Sequence, residues 1–520
     1  MKKNRILRGF CAGLMTICLQ CGSLAAMPVS AEEETFSDEV LTYTKIGDGV
    51  SITACEVTAT AFDLPDNIDG YPILEIGDGA FAGCEKLSKL NLSKTKIRSI
   101  GENAFSGCTA LKDFDFPEDT LKTIGKGAFY GCGSLTKLTI PDSVTEVGTS
   151  AFAYCFGLDT IELSDAMETL PSAIFYYDYA LSDVKMPKNL KKIDAMCLMG
   201  CYALQSVSIP ASVAEIDSQA FLEASGIAEF DVDANNAAFS RGVDGSLCTK
   251  DGSNLLVYPA SNGVKECVVP DTVKEIAAYA FSGSIGLEQV TLPSSLTMEM
   301  LPDGCFSNCL SLKKVVCDDA LLKQISTGLF AGCTSLESFT LPADCTAIGN
   351  YAFYGCGALN QFEIPESVKE IGEYAFCGCD GLATMTIPKT VDTIGQCAVG
   401  FALPATDESG TETQATVRAD FVLRGNTPSA AKDYASQNSI QFKSTNFPLS
   451  TICLIIAAVC GVLTVIWIIR NTIKKKKEQA AEQTQEDEHP VDAELEQYFD
   501  ENYQSILAED TDENKEDTEE

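Results

Sequence analysis

Twenty-three cysteines and a single histidine define the range of chemistry open to this 520-residue chain. Nine of the cysteines recur at one place in a repeated pattern: Cys84, Cys108, Cys132, Cys155, Cys201, Cys309, Cys333, Cys356 and Cys379. Such a series could form disulfides, hold zinc or supply nucleophiles. Equivalent residues in stacked coils lie about 4.8 Å apart with parallel side chains. A disulfide wants Cβ atoms about 3.5–4.5 Å apart and turned toward each other, and zinc wants ligands converging on one point. A ladder offers neither. Asp178, Ala224 and Ser284 replace the cysteine in other copies, which suits independent packing sites better than obligate pairs. The nine therefore read as buried thiols that pack as small hydrophobes. Cys197 near Cys201, and Cys377 beside Cys379, are the places best suited to an exception.

The histidine, His489, stands in an acidic C-terminal stretch, so Ser-His-Asp and Cys-His catalysis and His-ligated metals have no residue to use elsewhere. No phosphate-binding glycine loop occurs. Carboxylates are plentiful and glycoside hydrolysis needs only two, yet nothing sets one pair above the others. Asp231-Val232-Asp233-Ala234-Asn235 opens in the manner of a calcium loop, but the sixth and twelfth places hold Asn236 and Gly242 instead of Gly and Glu. The expectation is a non-enzyme without catalytic residues, metal or cofactor.

The elements that position these residues come from the repeat itself, mostly 22 to 25 residues long. A clear copy runs from Ile124-Gly125 through Ala128-Phe129, Cys132 and Leu135 to Leu138, Ile140, Pro141 and Val144. The Ala-Phe step returns at Phe81, Phe105, Phe152, Phe221, Phe281, Phe353 and Phe376, and in altered form at Phe175, Leu198, Phe306 and Phe330, with a partial copy at Ile394. Leu138 and Ile140 point inward along a short extended segment, while Lys137 and Thr139 point outward. Pro141 and its equivalents stop the strand, because proline lacks the N–H that a ladder requires. Val144-x-x-Val147-Gly148 then returns the chain along the opposite side. One coil cannot bury its apolar face alone; stacked coils can.

The flanks point to location. Lys2, Lys3, Arg5 and Arg8 precede an apolar run from Phe10 to Leu19, with small residues up to Ala31, the layout of a signal peptide over 1–31. Residues 449–469 carry no charge and suffice to span a bilayer at about 1.5 Å per residue. Arg470 and Lys474 to Lys477 follow, with Trp467, the only tryptophan, at the same end. By the positive-inside rule the membrane helix is 448–470, the repeats face outward and the acidic tail 471–520 is cytoplasmic. The formal charge is −37, with 18 Asp/Glu against one Lys over 478–520. A surface so acidic repels phosphate backbones, so nucleic acid is not an expected partner, and basic protein patches or cations are better ones.

The repeat Ala-Phe-x-x-Cys-x-x-Leu-x-x-apolar-x-apolar-Pro-x-x-Val-x-x-Ile-Gly resembles the BspA-type leucine-rich repeats of bacterial surface proteins. Ile68-Asp69-Gly70-Tyr71-Pro72-Ile73 is similar to that family's N-terminal cap turn, and Phe421 to Phe442, with Gly425, Ser429 and Tyr434, to its closing cap. The resemblance implies a repeat solenoid: a leucine-rich-repeat right-handed superhelix, mostly short β-strands, here with one transmembrane α-helix. Its segments are an N-terminal cap at 32–75, repeats at 76–400 and a C-terminal cap at 401–447. It also implies adhesion to host or bacterial surfaces, without naming a ligand. The membrane span stands where simpler members carry a wall-sorting signal. Asp244-Gly245 and Asp251-Gly252 mark an insertion at 233–263, read as a hairpin.

Outward positions of the strands form two rows, which are the candidate binding face for extracellular proteins: Asp113, Lys137, Asp183 and Glu229 in one, Asp115, Thr139, Glu162 and Lys185 in the other. These rows hold no aromatic residue, which disfavours polysaccharide. In the tail, Val491, Leu495, Tyr498, Phe499, Tyr503, Ile506 and Leu507 recur at roughly helical spacing. That stretch reads either as a docking peptide for a basic cytoplasmic partner or as disordered, and its composition favours disorder. Three functions follow: an adhesin-like binding protein on a Gram-positive cell, a receptor or scaffold that reports through its tail, or a wall-spanning spacer.

Overall fold

Each repeat supplies two short strands, and each strand pairs in parallel with its equivalent one repeat away. The computed structural model describes residues 35–37, 40–56, 58–405, 413–446 and 449–483. The predicted signal segment and the tail with His489 lie outside them. Strands of three residues, such as Lys137–Thr139, Thr160–Glu162 and Asp183–Lys185, stack with Lys137 opposite Thr160 and Thr160 opposite Asp183. Strands of two residues form a second parallel series, in which Ile124 lies between Ile100 and Val147. In many repeats the first series ends at a proline, as at Pro141, and the second turns at a glycine, as at Gly125 and Gly148. The chain is thus a β-solenoid built from leucine-rich repeats.

Between the two series lies the Ala-Phe turn, whose rings stack down the interior. Phe81, Phe105, Phe129, Phe152 and Phe175 have centroids 4.9, 5.1, 5.4 and 6.0 Å apart. Leu198 ends that run. Tyr258 begins a second, through Phe281, Phe306, Phe330 and Phe353 to Phe376. Each buried ring contributes roughly 1.5–3 kcal/mol. The backbone reinforces the stack: the N–H groups of Phe81, Phe105 and Phe129 each donate to the alanine carbonyl of the next coil at 2.7 Å.

The cysteine series has a role beyond packing. All nine are buried and none is bridged. Eight donate their thiol to the phenylalanine carbonyl of the preceding coil, as in Cys108 to Phe81, Cys132 to Phe105, Cys155 to Phe129 and Cys333 to Phe306, at 3.1–3.2 Å. Cys201, Cys309, Cys356 and Cys379 do the same. The reading as small hydrophobes is incomplete: the thiol is a donor to a carbonyl that would otherwise be under-satisfied in a dry interior. Burial lifts the Cys108 thiol to about 12 and the Cys132 thiol well above its ordinary value, so both stay protonated. Cys197 and Cys377, the suggested exceptions, are free and point at the carbonyls of Ala220 and Ala402.

The ends and the insertion depart from the repeat. At the start, Leu41–Ile46 and Gly49–Cys55 pair antiparallel, and Gly49–Cys55 then hands over to parallel pairing with Tyr71–Ile76. At the close, Val422–Gly425 lies between Thr384–Ile387 and Gln441–Ser444. The helix Ala430–Gln437, capped by Ser429, connects those last two strands. The insertion differs from a single hairpin. Phe239–Arg241, Leu247–Thr249 and Asn254–Val257 form a three-stranded meander, because the second turn, at Asp251, sends Asn254–Val257 back into parallel pairing with Glu275–Ile276. Asn236 at its entrance is fully buried, donating to the carbonyls of Pro210 and Val213 and accepting from the N–H groups of Ala238 and Phe239. It is a backbone clamp rather than a cation ligand. A second unit holds the helix Leu449–Gln483. The helix is long and apolar enough over Leu454–Lys477 to cross a membrane.

Arg418 closes the last coil. Its guanidinium donates to the carbonyls of Cys379, Leu382 and Asp380 at 2.9–3.0 Å and to Asp420 at 2.8 Å. Replacing Arg418 with Met should cost roughly 2–5 kcal/mol. Because repeat arrays are stabilised by nearest neighbours, the loss should be local. Hydrogen exchange should speed up in 376–394 and stay unchanged in 81–152.

Candidate binding surfaces

The strand face places the sequence-predicted residues as two rows in register. Lys89 lies opposite Asp113, and Asn91 opposite Asp115. Thr139, Glu162 and Lys185 follow one another, as do Lys137, Thr160 and Asp183. Ser206 faces Glu229. Asp113, Asp115, Lys137, Thr139, Asp183, Lys185 and Glu229 are exposed, and Glu162 is half-buried. Within the rows some charges are already engaged. Glu162 pairs with Lys185, and Glu229 pairs at 2.7 Å with Arg241 of the inserted meander. Glu229 therefore anchors the insertion beside the face. Asp113, Asp115 and Asp183 have no cation within salt-bridge distance among the described residues. They are the open acidic groups of the set.

A second surface escaped the sequence reading. Most coils have left-handed backbone two residues before and two residues after the phenylalanine position, and the later site is usually glycine, as at Gly83, Gly107, Gly131, Gly332 and Gly355. Tyr154, Tyr177, Glu223 and Asn308 occupy it instead, with φ of 59°, 59°, 58° and 57°. A left-handed non-glycine residue costs roughly 1–2 kcal/mol. The Tyr177 ring is accommodated by Gly200 in the next coil, where a Cβ would come within 2.3 Å of it. Across that gap its hydroxyl donates to Glu223 at 2.9 Å, two coils away. Beside these, Phe156, Tyr179 and Tyr202 stack with centroids 5.2 and 5.3 Å apart. Edge-to-face pairs of Tyr154 with Tyr130, Phe156 and Tyr176 join the set. Phe156 is 48% exposed, Tyr130 41% and Tyr179 40%. Aligning the copies and asking where the consensus glycine is lost would have exposed this edge.

Under the aromatic edge lies Asp178, which takes the cysteine place in its coil and is fully buried. Its Oδ1 accepts the Cys155 N–H at 2.7 Å, replacing the phenylalanine carbonyl that serves other coils. Its Oδ2 has no hydrogen-bond partner. Burial pushes this carboxyl well above the usual range, opposed only by the Cys155 hydrogen bond. Among the described residues no group of His, Cys, Asp and Glu converges to hold a metal ion.

A profile of the BspA type leucine rich repeat region, in six copies, matches residues 32–158, 122–242, 258–356 and 299–402. A leucine rich cell surface protein from Faecalibacterium prausnitzii A2-165 superposes with a TM-score of 0.60 and 27% identity, over 71% of this chain and 96% of that one. The pneumococcal vaccine antigen PcpA aligns over 80% of this chain and 100% of its own at 18% identity and a TM-score of 0.49. A leucine-rich repeat protein from Bacteroides ovatus does so over 79% and 100% at 25% identity and 0.40. No curated protein matches significantly. Nothing in these comparisons indicates a catalytic family.

The Asp178 carboxyl makes stability depend on pH with a definite sign. Its folded-state pKa is raised, so the folded chain holds a proton that the unfolded chain has released above about pH 4. Stability from this group should therefore fall as pH rises from about 4, by up to about 1.4 kcal/mol per pH unit until the folded group itself ionises. In Asp178→Asn that slope should vanish and the thermal midpoint at pH 8 should rise. Equal pH slopes in the two proteins would refute the assignment.

Proposed function

Because this chain belongs to the BspA-type leucine-rich-repeat family, we propose that it is a membrane-anchored surface protein whose strand face binds other proteins outside the cell. The observation that carries this reading is the pair of outward rows held in register by parallel pairing. They present Asp113, Asp115, Lys137, Thr139 and Asp183 on a rigid scaffold. Such a lattice fixes side chains without an ordering cost at binding, and its mixed but acid-leaning charge suits a partner with basic patches. The similar F. prausnitzii protein is a cell surface protein by name. The helix Leu449–Gln483 supplies the anchor, and Lys474 to Lys477 supply the positive charge that keeps the tail in the cytoplasm. On this reading the repeats bind partners and carry no catalytic role.

Protease added to intact cells should remove an epitope in the repeats and spare one placed after residue 478. Loss of both, or of neither, would refute the topology. Cells carrying the chain should attach to at least one member of a panel of host and bacterial surface proteins. Asp113→Lys with Asp115→Lys should weaken that attachment at least tenfold, about 1.4 kcal/mol. Equal attachment by both proteins, or attachment by neither, would remove the strand face from the account.

A further inference from the structure

We infer that the aromatic edge of the middle coils is a second binding surface, for an arginine-rich segment of a protein partner. It is distinct from the strand face and does not depend on it. Three independent features converge there. The first is exposure: Phe156, Tyr130 and Tyr179 are each at least 40% open, whereas the other large rings of the described repeats are buried or half-buried. Contiguous exposed aromatic surface marks interaction sites, and tyrosine is enriched in their centres.

The second is the backbone the rings require. Tyr154 and Tyr177 hold left-handed conformations at a place where most coils use glycine. The coils on either side fold with glycine there; here the two rings build a small cluster with Met199, and the exposed rings of Phe156 and Tyr179 pack on it. At the position after the cysteine the pattern is equally local. Phe156, Tyr179 and Tyr202 are consecutive, whereas Glu85, Thr109 and Gly133 before them and Ser225 after them are polar or small.

The third is charge, and it selects the partner. Segments 127–136, 148–160, 171–184 and 193–213, which carry this edge, contain no Lys or Arg. They do contain Asp159, three residues after Phe156. Asp159 is exposed, accepts a hydrogen bond from the Ser182 hydroxyl and has no cation within salt-bridge distance among the described residues. Rings with negative faces, in a stretch that holds a carboxylate and no cation, attract cations. Guanidinium is the better fit than ammonium because its plane stacks on aromatic rings while its fork pairs with carboxylate.

The test uses the full chain in detergent micelles with a fluorescein-labelled nona-arginine peptide and its nona-lysine counterpart, at about 0.15 M salt. Nona-arginine should bind more tightly than nona-lysine. Phe156→Ser with Tyr179→Ser should raise its Kd at least tenfold. Tyr130→Ser, a change at the far end of the set, should raise it severalfold, which guards against a folding defect in the double variant. Asp113→Lys with Asp115→Lys should leave it unchanged. The proposal is overturned if the peptide binds all four proteins alike, which would signal diffuse attraction to an acidic chain, or if it does not bind. It is also overturned if the serine variants spare peptide binding but abolish binding of a neutral oligosaccharide or dissolve a dimer seen by sedimentation. The edge would then belong to a glycan or to a second copy of the chain.

Discussion

The phenylalanine peptide group of each coil is the joint on which this solenoid depends. Its N–H reaches forward to the carbonyl one residue before the next coil's phenylalanine position, as Phe81 does to Ala104 and Phe152 to Ile174. Its carbonyl receives the N–H three residues on in its own coil, except at Phe152, and in eight places the thiol of the coil that follows. In a water-free interior each of those groups would be costly if left alone. Stacking therefore satisfies polar groups and buries rings in the same step. It also fixes the rise between coils near 5 Å, as the ring spacings show. Everything on the outside inherits that spacing, including the rows of the strand face.

Where a coil breaks the pattern, its neighbours compensate. Asp178 in place of a thiol takes over an acceptor role toward Cys155 and keeps a proton in the interior. Tyr177 in place of a glycine needs Gly200 beside it and Glu223 beyond it. Leu198 interrupts the ring stack within the same group of coils. These departures gather between Phe152 and Phe221, where the aromatic edge emerges. Irregularity in a repeat array carries meaning because the regular solution is at hand in every adjacent coil.

The ends obey the same constraint from the other side. A stack of parallel strands has two open faces, each with unpaired donors and acceptors. The chain begins with antiparallel strands that feed into the parallel series, and it ends with Arg418 and Tyr434 collecting the last free backbone groups. The inserted meander interrupts the strand face at its middle, held by Arg241 on Glu229 and by Asn236 on the preceding coil. It leaves the N-terminal half of the face as a stretch of its own, with the open carboxylates of Asp113, Asp115 and Asp183.

Residue order alone determined the repeat, its inward pair Leu138 and Ile140, its proline stops and the outward rows, because each is a short-range pattern copied many times. It also announced the apolar C-terminal helix, whose character lies in its own composition. Only the folded chain decided what the thiols do, since Cys132 meets the Phe105 carbonyl solely through the distance between coils. The same holds for Glu229, whose partner arrives on an insertion, and for Arg418, which serves carbonyls 36 to 39 residues back. The aromatic edge sits between these cases. Its residues were plain in the sequence, but that Phe156, Tyr179 and Tyr202 share one exposed column follows from stacking three coils in register, which puts residues 23 apart in contact.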